Sequence, residues 1–232
     1  MQSLSSSSIA PIPSVPGLYI SDRFAARSLP LLKSLNITAI LSLTSAAEVP
    51  RFQPDAIEGL VQKHVDVDDD PTEDLFGILE DCCDWIALGL DAGKGVLVHC
   101  TQGISRSGSV VVAFVARKLK VDYLTALKTA RKHRPQINPN LGFEWQLRIW
   151  IEMGCSVSEE NGRDKKTYSE WKRARDELFG KGEEAVLRAR KTAVGVAVAR
   201  KGRLKGDGGE EEKEEGVEVV WRERLRSGWV PW

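Results

Sequence analysis

The chain has 232 residues, 42% of them hydrophobic and 28% charged, with 33 Lys/Arg against 33 Asp/Glu and a formal net charge of zero. Such a composition suits a soluble globular protein of one solid domain plus an appendage, or two small domains. It makes no whole-chain case for a nucleic-acid or membrane partner, and the apolar run at 110–116 is too short to span a bilayer.

In chain order, residues 1–16 are rich in Ser and Pro and predict a flexible leader. GLYIS, 17–21, predicts a short strand, and 25–35 a helix. ITAILSL, 37–43, has the length and apolarity of a buried strand, and VQKHVDV, 61–67, alternates enough for another. The acidic turn Asp68-Asp69-Asp70-Pro71 follows. Thr72 or Asp74 caps the next helix, which runs to about Leu90 with Leu75, Leu79, Cys82, Ile86 and Leu90 at apolar positions. Gly93 and Gly95 end it. Residues 96–98 predict a strand, and 107–120 a helix beyond a loop containing Gly103. Asp122 caps another helix, broken at Arg134-Pro135, and Asn140 opens one that reaches Met153. Strands alternating with helices predict an α/β fold, a central twisted sheet of about four to five strands flanked by helices.

Beyond Cys155 the character changes. Residues 165–179 and 183–201 have helical spacing, and 206–216 is low-complexity, predicting disorder. Residues 163–205 carry 14 Lys/Arg against 6 Asp/Glu, whereas 206–232 carry 4 against 8. A basic segment followed by an acidic one has electrostatics of its own, and 163–205 could meet nucleic acid or an acidic partner; a solvated charged helix face is the simpler reading. Trp221, Trp229 and Trp232 lie in the polar tail, either as a docking motif or as stray aromatics. Trp145 and Trp150 predict core, as does Cys82. The cations around His133 (Arg131, Lys132 and Arg134) predict a solvated helix end suited to the helix dipole. The four cysteines, Cys82, Cys83, Cys100 and Cys155, follow neither a disulfide framework nor a metal knuckle. With no secretory-type N-terminus, cytoplasm or nucleus is expected.

The chemistry concentrates in VLVHCTQGISRSGS, residues 96–109. A strand delivers His99 and Cys100, Gly103 lets the loop curl, and a helix starts near Arg106. Backbone N–H groups of 101–106 then converge on one concave space at a helix N-terminus, which attracts phosphate and favours a thiolate. The planar guanidinium of Arg106 can grip two phosphate oxygens, leaving the sulfur of Cys100 in line behind phosphorus. An ATP-binding loop is excluded, because that needs Gly-Lys-Ser/Thr where this chain has Gly-Ile-Ser-Arg.

HCTQGISRSGS resembles the HCxxGxxRS loop of the cysteine-dependent protein tyrosine phosphatases, and its GxSRS form is similar to that of dual-specificity phosphatases. PGLYISDRFAA resembles the family's first strand and turn, and INPNLGFEWQLRIW its PNxGFxxQL helix; together these cover about 17–152. The chain is most similar to an atypical subgroup with a C-terminal zinc-binding domain, but departs from it. No cysteine or histidine follows Cys155, so that zinc site is not expected, and neither is any other metal or cofactor.

The resemblance implies Cys100 as nucleophile and Arg106 as phosphate clamp, with Thr101, Gln102, Gly103, Ile104 and Ser105 completing the phosphate-binding loop. Ser107 would stabilise the leaving thiolate, His99 would brace the loop and Asn140 would support it from behind. Counting back from Asp74 by the family's spacing makes Asp69 the favoured general acid, with Asp68 and Asp70 as alternatives. The implied organisation is a leader over 1–16, a dual-specificity phosphatase catalytic domain over 17–156, a basic helical extension over 157–203 and a low-complexity tail over 204–232. A loop without lysine favours phosphoproteins over inositol lipids, and a domain without added segments favours a shallow site for phosphotyrosine, phosphoserine and phosphothreonine. The alternative is a non-catalytic binding or scaffolding protein, for example in ribosome assembly, acting through the basic extension.

Overall fold

The apolar runs that begin near residues 17, 37 and 96 all become strands, and they lie side by side. The computed structural model describes residues 8–204, with side chains to residue 196. Its five strands are β1 (Ala10–Pro11), β2 (Leu18–Ser21), β3 (Ile37–Leu43), β4 (Val61–Val65) and β5 (Gly95–His99). They form one sheet in the order β1-β2-β5-β3-β4. β2, β5, β3 and β4 run parallel, and β1 is antiparallel on the edge. β5 is buried along its whole length, as its unbroken apolar run requires of a strand covered on both faces. β4, the far edge, carries Gln62, Lys63 and His64, polar residues that suit an edge. Parallel strands send their C-terminal ends to one rim, and Ser21, Ser42 and His99 gather there.

The helices are α1 (Leu29–Ser34), α2 (Phe76–Asp91), α3 (Arg106–Leu119), α4 (Tyr123–Arg131), α5 (Leu141–Glu152), α6 (Lys166–Gly180) and α7 (Glu183–Leu204). α3 is the central one: every residue from Ser107 to Ala116 is buried, between β5 and its neighbours α2, α4 and α5. The main core joins α2, α3 and α5 to one face of the sheet. A smaller cluster of Ala26, Leu32, Ile37, Ile40 and Leu97 covers the other face. Asp122 and Asn140 cap α4 and α5 as their positions predict, accepting from Thr125 N at 2.8 Å and Phe143 N at 2.9 Å. Trp145, Trp150 and Cys82 are all core. Among the described residues, no helix is long and apolar enough to cross a membrane.

Two expectations are corrected. The leader is packed from residue 10 onward: β1 pairs with β2, and Ile12 and Val15 are buried beneath it. Its scattered apolar residues outweigh its Ser/Pro composition. The helix expected over 25–35 is two pieces, a 3-10 turn at Ala25–Arg27 and then α1, separated by the extended Ser28. Pro30 enforces the break, because in a continuous helix its ring would meet the carbonyl of Ala26.

The basic extension is docked on the α/β layers. Tyr168 and Trp171 of α6 pack against Phe76, the first residue of α2, with ring centroids 5.5 and 5.3 Å away. Leu178, Val186 and Ala189 join α6 to α7, and Ala193 reaches the main core. Residues 205–232, with the low-complexity run and Trp221, Trp229 and Trp232, lie outside the described residues.

Candidate active site

Cys100 follows the last residue of β5 and is buried, with a five-residue loop between it and the first residue of α3. The loop's backbone direction is set from outside. Arg23 N donates to Thr101 O at 3.3 Å, and Asn138 N to Ile104 O at 3.0 Å. Arg134 takes the two carbonyls between, Nη2 to Gln102 O at 3.1 Å and Nε to Gly103 O at 2.8 Å. In a trans peptide the C=O and the next N–H point opposite ways. Four carbonyls held outward therefore turn the N–H groups of 102–105 inward, into the positive nest expected there. Gly103 N accordingly donates to Cys100 Sγ at 3.2 Å. Gly103 has φ +67, and a Cβ there would lie 2.4 Å from Arg134 Nη2 and 2.5 Å from Ser21 O, so only glycine fits.

Ser107 Oγ is the second donor to Cys100 Sγ, also at 3.2 Å. Arg106 opens α3 and reaches over the loop, donating from Nη1 to Val67 O at 3.2 Å and from Nη2 to Thr101 Oγ1 at 2.7 Å. Its buried Nε has no partner among the described residues. Thr101 Oγ1 in turn donates to Glu48 Oε2 at 2.6 Å. The Thr101 and Thr44 hydroxyls, with the Arg23 ion pair, hold the Glu48 carboxyl down at about 2, against the pull of its partial burial. His99 bonds through Nε2 to Ser42 Oγ at 2.8 Å, tying β5 to β3 beneath the loop. Burial pushes its imidazole down to about 4, only partly opposed by the Cys100 backbone, so it is a neutral brace.

The acidic turn sits beside this loop, and its three aspartates face different surroundings. Asp69 Oδ1 accepts from Ser105 Oγ at 2.6 Å and from Asn140 Nδ2 at 2.9 Å, while Asn140 N donates to Ser105 Oγ at 3.0 Å. Asp70 closes its own turn, accepting from Thr72 N at 2.8 Å and Thr72 Oγ1 at 2.6 Å, and it pairs with Arg190 of α7. Asp68 faces solvent. Asn140 thus stands between Ser105 of the loop and Asp69. A thiol, inward N–H groups, a guanidinium and one carboxyl tied to the loop together suit transfer of a phosphoryl group.

Comparison with known proteins agrees. The family model for the dual specificity phosphatase catalytic domain matches residues 18–153. The chain belongs to the dual specificity phosphatase family. It is 36% identical over 141 residues to the Drosophila melanogaster dual specificity protein phosphatase MPK-4, covering 61% of this chain and 36% of that one. It is 36% identical over 143 residues to the Rattus norvegicus dual specificity protein phosphatase 12, covering 61% of this chain and 41% of the relative. The chain thus spans well under half the length of these two curated relatives. The crystal structure of the Yvh1 phosphatase domain from Chaetomium thermophilum superposes with a TM-score of 0.60 at 28% identity, covering 66% of this chain and all of that one.

Three residues that shape this site are absent from the candidates the sequence offers. Arg134, expected on a solvated helix end, is buried and grips the loop. Glu48 anchors Thr101, and nothing in its neighbourhood of the chain marks it. Gln146 of α5 accepts from Leu75 N and Phe76 N at 2.9 and 3.1 Å and donates to Glu73 O at 2.8 Å, fixing the end of the acidic turn. Its place in the PNxGFxxQL wording was the available signal. Cys82 and Cys83 are inert packing groups, their thiols pushed up by burial, Cys82 to about 12.

Proposed function

We propose that this chain is a protein phosphatase acting on phosphotyrosine and on phosphoserine or phosphothreonine through a cysteinyl-phosphate intermediate. The observation that carries the reading is the loop around Cys100, whose four outward-held carbonyls aim its N–H groups at the space beside Sγ. Phosphate would lie in that nest with Arg106 across two of its oxygens. Cys100 Sγ attacks phosphorus, an S–P bond forms, and the P–O bond to the substrate breaks. The departing oxygen keeps the electron pair and takes the proton from Asp69, the acid favoured by its bonds to Ser105 and Asn140. Water then attacks phosphorus, giving its proton to Asp69, and the S–P bond breaks. Ser107 Oγ donates to the sulfur as it leaves.

Phosphoproteins are the substrates this reading favours, since the loop carries one arginine and no lysine. The names of the relatives support the same class. Cytoplasm or nucleus fits a nucleophile that must stay reduced; all four cysteines are free. The scaffolding alternative, with nucleic acid or a ribosomal partner on 163–205, gains nothing from the site, and two of that segment's cations, Arg175 and Arg190, face the acidic turn instead.

The test is phosphate release from 4-nitrophenyl phosphate and from a phosphotyrosine peptide, wild type against Cys100→Ser. Turnover by wild type alone is expected. Equal, negligible release from both proteins overturns the reading. Asp69→Asn should slow the peptide reaction by about 10²–10⁴-fold. If Asp68→Asn does so and Asp69→Asn does not, the acid is misassigned.

A further inference from the structure

Besides its apolar packing on Phe76 and the main core, the extension places several polar side chains on the turn that carries the proposed acid. Arg190 of α7 brings Nε within 2.5 Å of Asp70 Oδ2, an ion pair rather than a well-directed hydrogen bond. Arg175 of α6 donates from Nε to Thr72 O at 2.8 Å and lies 4.0 Å from Glu73 Oε1. Tyr168 Oη donates to Asp74 Oδ2 at 3.1 Å. The extension therefore holds Asp70, Thr72, Glu73 and Asp74, and leaves Asp69 free to face Ser105 and Asn140. The two arginines are themselves held. The guanidinium of Arg175 lies 4.8 Å from the Phe179 ring centroid, and Arg190 is half-buried one residue after the buried Ala189.

We propose that Arg175 and Arg190 are positioning residues for the general acid, so that α6 and α7 work as a built-in clamp that aims Asp69 at the leaving oxygen. The inference rests on the phosphatase reading and on Asp69 as its acid. A carboxylic acid aids departure only while its proton lies along the breaking P–O bond, and displacement by about 1 Å can cost on the order of 10²-fold. Asp69 and Asp70 are consecutive in the chain and share one peptide bond, so the direction of the one constrains the other. Without the arginine contacts the turn keeps Gln146 and Tyr168 at one end, the Ser105–Asn140 pair at the other and its own Asp70–Thr72 bonds between, but loses both cations that face it.

A clamp of this kind has a kinetic signature that ordinary destabilisation lacks. Tyrosine is a poor leaving group with a pKa near ~10 and needs the proton. The more acidic 4-nitrophenol departs with little help. Arg190→Gln and Arg175→Met, made in the full chain, should each lower kcat/KM on a phosphotyrosine peptide, which reports the leaving-group step and not the shared hydrolysis of the phosphocysteine, by about tenfold or more. The same variants should leave kcat/KM on 4-nitrophenyl phosphate within about threefold. In an Asp69→Asn background the arginine substitutions should cost nothing further, because a clamp has nothing left to aim. Tyr168→Phe, which removes one hydroxyl and keeps the packed ring, repeats the comparison if either arginine variant fails to fold. Equal losses on the two substrates, no loss on either, or additive losses in the Asp69→Asn background each overturn the proposal. If wild type and Cys100→Ser are equally inactive on both substrates, the phosphatase reading falls and takes the clamp with it.

Discussion

Gly142 and Pro71 are in contact through their backbones: a methyl group on Gly142 would lie 1.9 Å from the Pro71 carbonyl oxygen. α5 can approach the acidic turn this closely only because residue 142 has no side chain. Gly142→Ala should therefore displace the turn, or α5, by more than a bond length. Overpacking of this kind costs about 1–3 kcal/mol, to be read in urea unfolding. Phosphotyrosine-peptide turnover should fall with it, and more steeply than turnover of 4-nitrophenyl phosphate. Wild-type stability and unchanged kinetics would show that the contact relaxes freely.

Ser107 Oγ reaches only the sulfur of Cys100 in the proposed chemistry, so its removal should tell most when the sulfur departs. Ser107→Ala is expected to slow breakdown of the phosphocysteine by about tenfold or more, the worth of a hydrogen bond to a charged atom. Rapid acid quench should then reveal a burst and accumulated phosphoprotein. An unchanged kcat with no trapped intermediate would remove Ser107 from the second step.

Gln146 satisfies three backbone groups at the join of the acidic turn and α2. Gln146→Ala leaves Phe76 N without its partner, while Leu75 N and Glu73 O keep a bond to each other at 3.1 Å, and an unpaired buried group costs about 1–3 kcal/mol, less where water can enter. A drop in unfolding free energy of about 1–3 kcal/mol is expected. A drop below about half a kcal/mol, the range of ordinary surface substitutions, would mean that water replaces the amide fully.

His99 supplies a pH signature. Its folded-state pKa, about 4, lies below the ordinary value of 6.5. The unfolded chain therefore binds the extra proton first, and the folded state loses stability as pH falls through that window. The contribution is fully present above about 6.5 and should fade by about 1–3 kcal/mol on the way down to about 4. His99→Asn, though less stable at neutral pH, should show a flatter fall across the same window in urea titrations at stepped pH. Parallel curves for the two proteins would place the acid sensitivity elsewhere.

Much of the local order was legible from chain neighbours, though the break at Pro30 was missed. The caps Asp122 and Asn140, the buried strands and the helix starting at Arg106 follow from residues within a turn of one another. So did the loop, since the residues between Cys100 and Arg106 are consecutive. Contacts between distant segments were not. Asp68, Asp69 and Asp70 have nearly the same local chemistry, and family spacing alone favoured the middle one. What separates them physically is what faces them: Ser105 and Asn140 against Asp69, Arg190 against Asp70, and solvent around Asp68. Arg134 has the neighbours of a solvated cation, and only the fold buries it against Gly103. Arg175 and Arg190 lie in what composition describes simply as a basic segment.

By itself, then, the sequence determined an α/β layer with a thiol, an arginine and a phosphate-shaped loop between them, because those depend on short-range geometry. The tertiary structure decided which carboxylate meets that loop and which cations face its neighbours in the turn, because burial and pairing across more than thirty residues are set by packing, which no local pattern records.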